Sequence, residues 1–118
     1  MDITGTLFVA DQEHLPFVPR RVFWMNGLRG RRGGHALRTC EQIIIALRGE
    51  FNVRAYRDSN HPSMWNMKMA HHGLYLPKMI WRDLQNFTIG AIALVLCSEP
   101  YDPRDYIHKW SHFVGALR

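Results

Sequence analysis

One histidine closes a run of glycines and arginines. Asn26-Gly27-Leu28-Arg29-Gly30-Arg31-Arg32-Gly33-Gly34 leads directly into His35. Glycine lets backbone approach a ligand closely. Arginine presents a planar fork of donors suited to phosphate. Histidine is the side chain most easily tuned to move a proton near neutral pH. A basic, flexible loop running into a proton-transfer group is what a phosphorylated substrate would need.

The chain has seven histidines, which raises the question of a metal. Residues two apart on a strand point to one side, so a His-x-His pair can reach a single ion. The residue two places after His35 is Leu37, which is no ligand. His71 and His72 are adjacent and face opposite ways if extended. A metal needs three or four ligands held together, so neither a metal nor any other cofactor is expected. Cys40 and Cys97 show no Cys-x-x-Cys spacing and read as buried, reduced thiols.

These residues must be positioned by short strands. Thr6–Ala10, Arg21–Met25, His35–Thr39, Gln42–Leu47 and Phe51–Tyr56 are β-prone. Asn26-Gly27 ends the second of these with a strong turn pair. In 51–56, Phe51, Val53 and Ala55 alternate with polar neighbours, and Trp65, Met67 and Met69 repeat the pattern. Gly73–Leu76 stops at Pro77, and Trp81–Phe87 pairs with Ala91–Cys97 around Thr88-Ile89-Gly90. Strands at this spacing, with no helices between them, predict an antiparallel sandwich or barrel. The tail predicts a helix. Asp102 suits its N-cap, Pro103 its first position and Asp105 its first turn, and Tyr106, Trp110, Phe113 and Val114 fall on one face.

At 118 residues the chain reads as a single domain, 1–118. No apolar run is long enough to span a bilayer and no signal pattern opens the sequence, so a cytoplasmic protein without membrane association is expected. The formal charge of +5 favours anionic partners. Its clustering at Arg20, Arg21, Arg29, Arg31 and Arg32 favours one local anion site. A nucleic-acid module is disfavoured, because the Arg-Gly stretch is a single loop and no nucleic-acid fold signature accompanies it.

Three blocks carry a family resemblance. Arg32-Gly33-Gly34-His35-Ala36-Leu37 is similar to the Arg-Gly-x-His-Ala-His motif of the cupin sugar 3,4-ketoisomerases, the WxcM-like C-terminal domains that act on dTDP-4-keto-6-deoxyhexoses. Gly73-Leu74-Tyr75-Leu76-Pro77 with Trp81-Arg82 resembles a second block. Val95–Asp102 with Asp105-Tyr106-Ile107 resembles the C-terminal signature. The resemblance implies an all-β cupin, a jelly-roll β-barrel with a C-terminal α-helix. It implies a homodimer that exchanges N-terminal strands, with Thr6–Ala10 pairing across the subunits.

The implied chemistry moves a keto group from C4 to C3 through an enediol, with no metal. His35 is the base by its motif position. Arg32 is matched to the pyrophosphate or sugar, Gln42 to a barrel-lining glutamine, and Tyr75, Trp81 and Arg82 to the substrate. Trp24 stands where relatives tend to have tyrosine.

Leu37 replaces the family's second histidine. On a strand it shares the face of His35, so it is expected to make part of the cavity wall apolar and to keep His35 neutral. His72, Tyr75 and Arg38 are the candidates to supply the missing proton donor. The main reading is a dTDP-sugar ketoisomerase. The alternative is a nucleotide-sugar-binding homologue with altered chemistry, an epimerase or tautomerase, or with no catalysis.

Overall fold

The computed structural model describes residues 5–118. Nine strands form two antiparallel sheets. They are β1 (Arg21–Met25), β2 (Arg31–Leu37), β3 (Gln42–Arg48), β4 (Phe51–Tyr56), β5 (Ser63–Met67), β6 (Gly73–Leu76), β7 (Trp81–Gln85), β8 (Ile92–Cys97) and β9 (Tyr106–Ile107). One sheet has the order β1-β8-β3-β6 and the other β5-β4-β7-β2-β9. A single helix, α1 (Trp110–Ala116), follows. The all-β expectation with one C-terminal helix holds. The barrel does not close: among the described residues the two sheets share no ladder and face each other as a cupin-type sandwich.

Alternation builds the interior. On β4, Phe51, Val53 and Ala55 are buried while Asn52, Arg54 and Tyr56 are partly exposed on the other face. β3 is apolar on both faces. Ile44 and Ala46 enter the main core with Leu37, Val53, Leu84 and Val95, while Ile43 and Ile45 face the other side of their sheet. The segment 7–16 lies over that outer side, where Leu7, Phe8 and Leu15 line a groove with Ile43, Ile45 and Leu94. A smaller cluster beneath α1 joins Phe113 to Ala36, Trp81 and Ile107.

Four expectations change. Trp81–Phe87 and Ala91–Cys97 do not pair: β7 lies between β4 and β2, and β8 lies between β1 and β3 in the other sheet. Thr6–Ala10 forms no strand, and its residues 7–10 lie instead along the outer groove of the first sheet. β2 begins at Arg31, four residues before the expected start, so the second half of the glycine-arginine stretch is strand, not loop. The tail does not enter a helix at Pro103. Asp102 caps only a short 3-10 turn, Pro103–Asp105, by accepting from the Arg104 amide. Asp105 accepts from the Thr39 and Cys40 amides and the Thr39 hydroxyl, which ties the turn to the end of β2. Tyr106 and Ile107 then pair with Leu37 and Ala36 as an edge strand, and helix starts only at Trp110. Tyr106 therefore leaves the expected helical face and turns inward.

Candidate active site

A cavity of about 230 Å³ opens between the sheets. Its polar wall is Arg32 and His35 from β2, Gln42 from β3, Arg82 from β7 and Tyr106 from β9, and Phe23, Met25, Ile44, Leu84 and Val95 make the rest apolar. This mixture, mostly apolar with a few convergent polar groups, is typical of a small-molecule site.

A bulge aims β2. Gly33 lies opposite Asp83 and His35 opposite Arg82, which leaves Gly34 without a partner. Gly33 and Gly34 both have positive φ, at 97° and 76°. A side chain at 33 would also strike the Arg82 carbonyl oxygen, 2.9 Å from where its Cβ would lie. The extra residue brings Arg32 and His35 to the same cavity although they are three apart.

Arg82 is the centre of the polar wall. It is 1% exposed. Its Nε donates to the Ile80 carbonyl at 3.0 Å, and its Nη1 donates to Gln42 Oε1 at 2.5 Å. Its Nη2 is buried and has no hydrogen-bond partner among the described residues. Burial lowers its pKa to about 10, still well above neutrality, so the guanidinium stays charged. Gln42 reaches the other way too, its Nε2 donating to Cys97 Sγ at 3.4 Å. The amide is thus fixed, with oxygen toward Arg82 and nitrogen toward sulfur.

His35 is mostly buried. Burial, with the neighbouring charges of Arg82 and His108, lowers its pKa from 6.5 to about 4. At neutral pH its imidazole is uncharged and able to accept a proton, and this neutrality comes from burial and Arg82 rather than from Leu37 as expected. Its ring lies 5.1 Å from that of Tyr106. The Tyr106 hydroxyl oxygen accepts from Arg21 Nη2 at 3.3 Å, and the same Nη2 reaches Cys97 Sγ at 3.2 Å. Both cysteines are free and buried, as expected. The Cys40 thiol beside Cys97, with the donors Arg21 Nη2 and Gln42 Nε2, holds the Cys97 pKa below its usual value, while Cys40 Sγ itself donates to the Glu41 carbonyl at 3.3 Å.

Of the eight residues singled out from sequence, the cavity gathers four: Arg32, His35, Gln42 and Arg82. The others lie elsewhere. His72 is exposed at the turn before β6, its ring 4.3 Å from His71. Arg38 is exposed just past β2. Tyr75 faces the outer groove and bonds Glu41 through its hydroxyl. Trp81 packs edge-on against Trp110 under α1. None of the three candidate replacements for the second histidine reaches His35. Trp24 is 66% exposed, and its neighbours Phe23 and Met25 are the β1 residues that line the cavity.

Leu37 shares the interior face of β2 as expected. It packs at 0% exposure in the main core and is not part of the cavity wall. Tyr106 was missed because the capping signals at Asp102 and Pro103 assigned it to a helix. The available signal was Tyr-Ile, a β-prone pair directly after a turn.

Comparison with known proteins agrees with this architecture. The FdtA, WxcM-like C-terminal family matches residues 1–118. A TDP-4-oxo-6-deoxy-alpha-D-glucose-3,4-oxoisomerase of Aneurinibacillus thermoaerophilus is 28% identical over 116 residues, 96% of this chain and 83% of that protein. A 3,4-ketoisomerase from Helicobacter canadensis superposes with a TM-score of 0.94 at 27% identity, covering 98% of this chain and 89% of the other. The 3,4-ketoisomerase QdtA from Thermoanaerobacterium thermosaccharolyticum, solved as a mutant in complex with TDP-4-keto-6-deoxyglucose, gives 0.93 at 27% identity, with 98% and 86% covered. A match across the whole chain, on a fold superposing this well, carries the assignment: the chain belongs to the FdtA, WxcM-like C-terminal family, with the build of a 3,4-ketoisomerase enzyme.

Proposed function

We propose that this chain moves the keto group between C4 and C3 of a dTDP-4-keto-6-deoxyhexose, in deoxy- or amino-sugar biosynthesis in the cytoplasm. One observation carries the reading: a neutral, partly buried histidine shares a small cavity with a buried guanidinium that has a free donor. His35 takes the C3 proton. The C3–H electron pair forms a C3–C4 double bond and charge moves onto the C4 oxygen. Arg82 Nη2 stabilises that oxygen, and Gln42 holds the guanidinium in place. Collapse toward a C3 carbonyl returns a proton to C4. Arg32, at the cavity edge, takes the pyrophosphate. No step calls for a metal, and His35 is the only strong metal-ligand type among the lining residues.

The active form in this reading is a homodimer. Val22, Trp24 and Leu47 expose apolar surface on the outer face of the first sheet, and Leu7 and Val9 are exposed beside it. Exchange of the 6–10 segment between subunits would give it the ladder it lacks in one chain.

The test is incubation with TDP-4-keto-6-deoxyglucose in deuterated water, followed by NMR. Wild type is expected to form the 3-keto isomer with deuterium at C4. His35→Asn should bind TDP normally and lose turnover by at least about 10²-fold. Exchange at C3 or C5 without a 3-keto product would instead favour an epimerase or tautomerase. No exchange at all would favour a binding protein.

A further inference from the structure

We infer that Tyr106 is the second catalytic residue, a proton shuttle between the two substrate oxygens. The inference rests on the ketoisomerase reading above and concerns the step that the missing second histidine leaves open.

Moving a carbonyl from C4 to C3 moves two protons. One leaves C3 and arrives at C4, and the other leaves the C3 hydroxyl and arrives at the C4 oxygen. His35 can carry the first, since C3 and C4 are adjacent. The second needs a group that can both give and accept a proton. Arg82 cannot serve, because a guanidinium that stays charged is a donor only. Gln42 does not exchange protons at this pH and both ends of its amide are engaged. Arg32 is likewise a donor only. Of the cavity-lining residues only Tyr106 remains with a transferable proton besides His35.

Its geometry suits the role. Arg21 Nη2 donates to the phenol oxygen at 3.3 Å. A guanidinium has no lone pair to receive the phenolic hydrogen, so that hydrogen is left free for another acceptor. Tyr106 lines the same cavity as His35, with the two rings 5.1 Å apart. Arg21 is itself held, over the Phe23 and Tyr101 rings, each 5.4 Å away, and against Cys97 Sγ. A fixed cation beside the phenol oxygen stabilises the phenolate that exists between the two transfers.

The step balances without an added reagent. As His35 removes the C3 proton, the phenol gives its proton to the C4 oxygen. The phenolate then takes the C3 hydroxyl proton as the C3 carbonyl forms, and His35 returns its proton to C4. Both residues end as they began.

The experiment is a comparison of wild type, Tyr106→Phe and a chain carrying 3-fluorotyrosine at 106, all on TDP-4-keto-6-deoxyglucose in the NMR assay. Tyr106→Phe should keep TDP affinity and lower kcat by about 10²-fold, the scale of general acid–base catalysis. The fluorinated phenol is nearly the same size and more acidic, so its alkaline limb of kcat against pH should move to lower pH, which a packing role would not cause. An active wild type with Tyr106→Phe within about threefold of it overturns the inference alone. If Tyr106→Phe fails to fold, an unmoved alkaline limb in the fluorotyrosine chain overturns it. A wild type that neither converts nor exchanges the substrate overturns the ketoisomerase reading, and this inference with it.

Discussion

Strand β3 has a recess on each side, and the two differ in kind. The outer groove, under residues 7–16, is the larger at about 570 Å³. Its walls are Leu7, Phe8, Leu15, Ile43, Ile45 and Leu94, with His14, His71 and Tyr75 at its polar edge. The inner cavity has less than half that volume, yet it holds a buried guanidinium and a histidine whose pKa has fallen to about 4. Size therefore does not mark the proposed site in this molecule. Groups taken out of water and fixed by hydrogen bonds do. One strand serves both sides because Gln42 and Ile44 point inward while Ile43 and Ile45 point outward, and a slip of one residue would exchange them.

The largest expected effect outside the proposed catalytic pair tests how far the inner cavity extends. Leu37→His places a polar ring in the packed core, where it finds neither space nor a partner. It should destabilise the fold by about 2–4 kcal/mol in denaturant melts and should not raise turnover. A faster, equally stable Leu37→His enzyme would mean that position 37 belongs to the cavity.

Acid should act on the inner cavity through His35. Its folded pKa is about 4, against 6.5 for the free side chain. Between those values the unfolded chain binds the proton more readily, so stability rises with pH from 4 to 6.5 and is flat above. That gap corresponds to up to about 3 kcal/mol. The acid limb of kcat/KM should fall near pH 4. A limb near 6.5 would show a solvated histidine. His35→Asn should flatten the stability slope.

Arg32→Ala should weaken TDP binding by about 1.5–3 kcal/mol in calorimetry, the scale of one charged hydrogen bond, and leave the melting profile nearly unchanged. Unaltered affinity would move the pyrophosphate away from the β2 edge.

The outer groove should behave differently. Leu94→Asp, on its floor, is expected to change the oligomeric state seen by light scattering while TDP affinity per protomer shifts by less than about threefold. A large loss of affinity with an unchanged oligomer would join the two recesses into one site and end the contrast.

Much of this was legible in the residues. The alternation of 51–56 marked β4 to the residue, and Gly73–Leu76 marked β6. Arg32, His35, Gln42 and Arg82 were all named from local motifs and meet in one cavity. What failed was side and depth. Tyr75 and Trp81 sit on strands of the right sequence but face outward, because a motif does not say which face of its strand is interior. His72 was placed near His35 by assumption, yet β6 is the far edge of the first sheet. The tail failed because Asp-Pro caps a 3-10 turn as readily as a helix, and only the ladder between β2 and β9 decides.

The unpaired Gly34 acts as a phase shift in the chain. In an unbroken strand, residues an odd number apart face opposite ways, so Arg32 and His35 could not serve one ligand. The extra residue resets the parity, sending Arg31 outward toward Arg54 and Asp83 and Arg32 inward. Deleting this one glycine would remove no charge and no catalytic group. It would leave Arg32 two residues from His35 in a regular strand and still on the cavity side, whereas straightening the bulge at constant length would turn Arg31 to the cavity and Arg32 to the outer surface. A change of pairing at this point is thus a change of wiring, with an effect that no count of residue types would reveal.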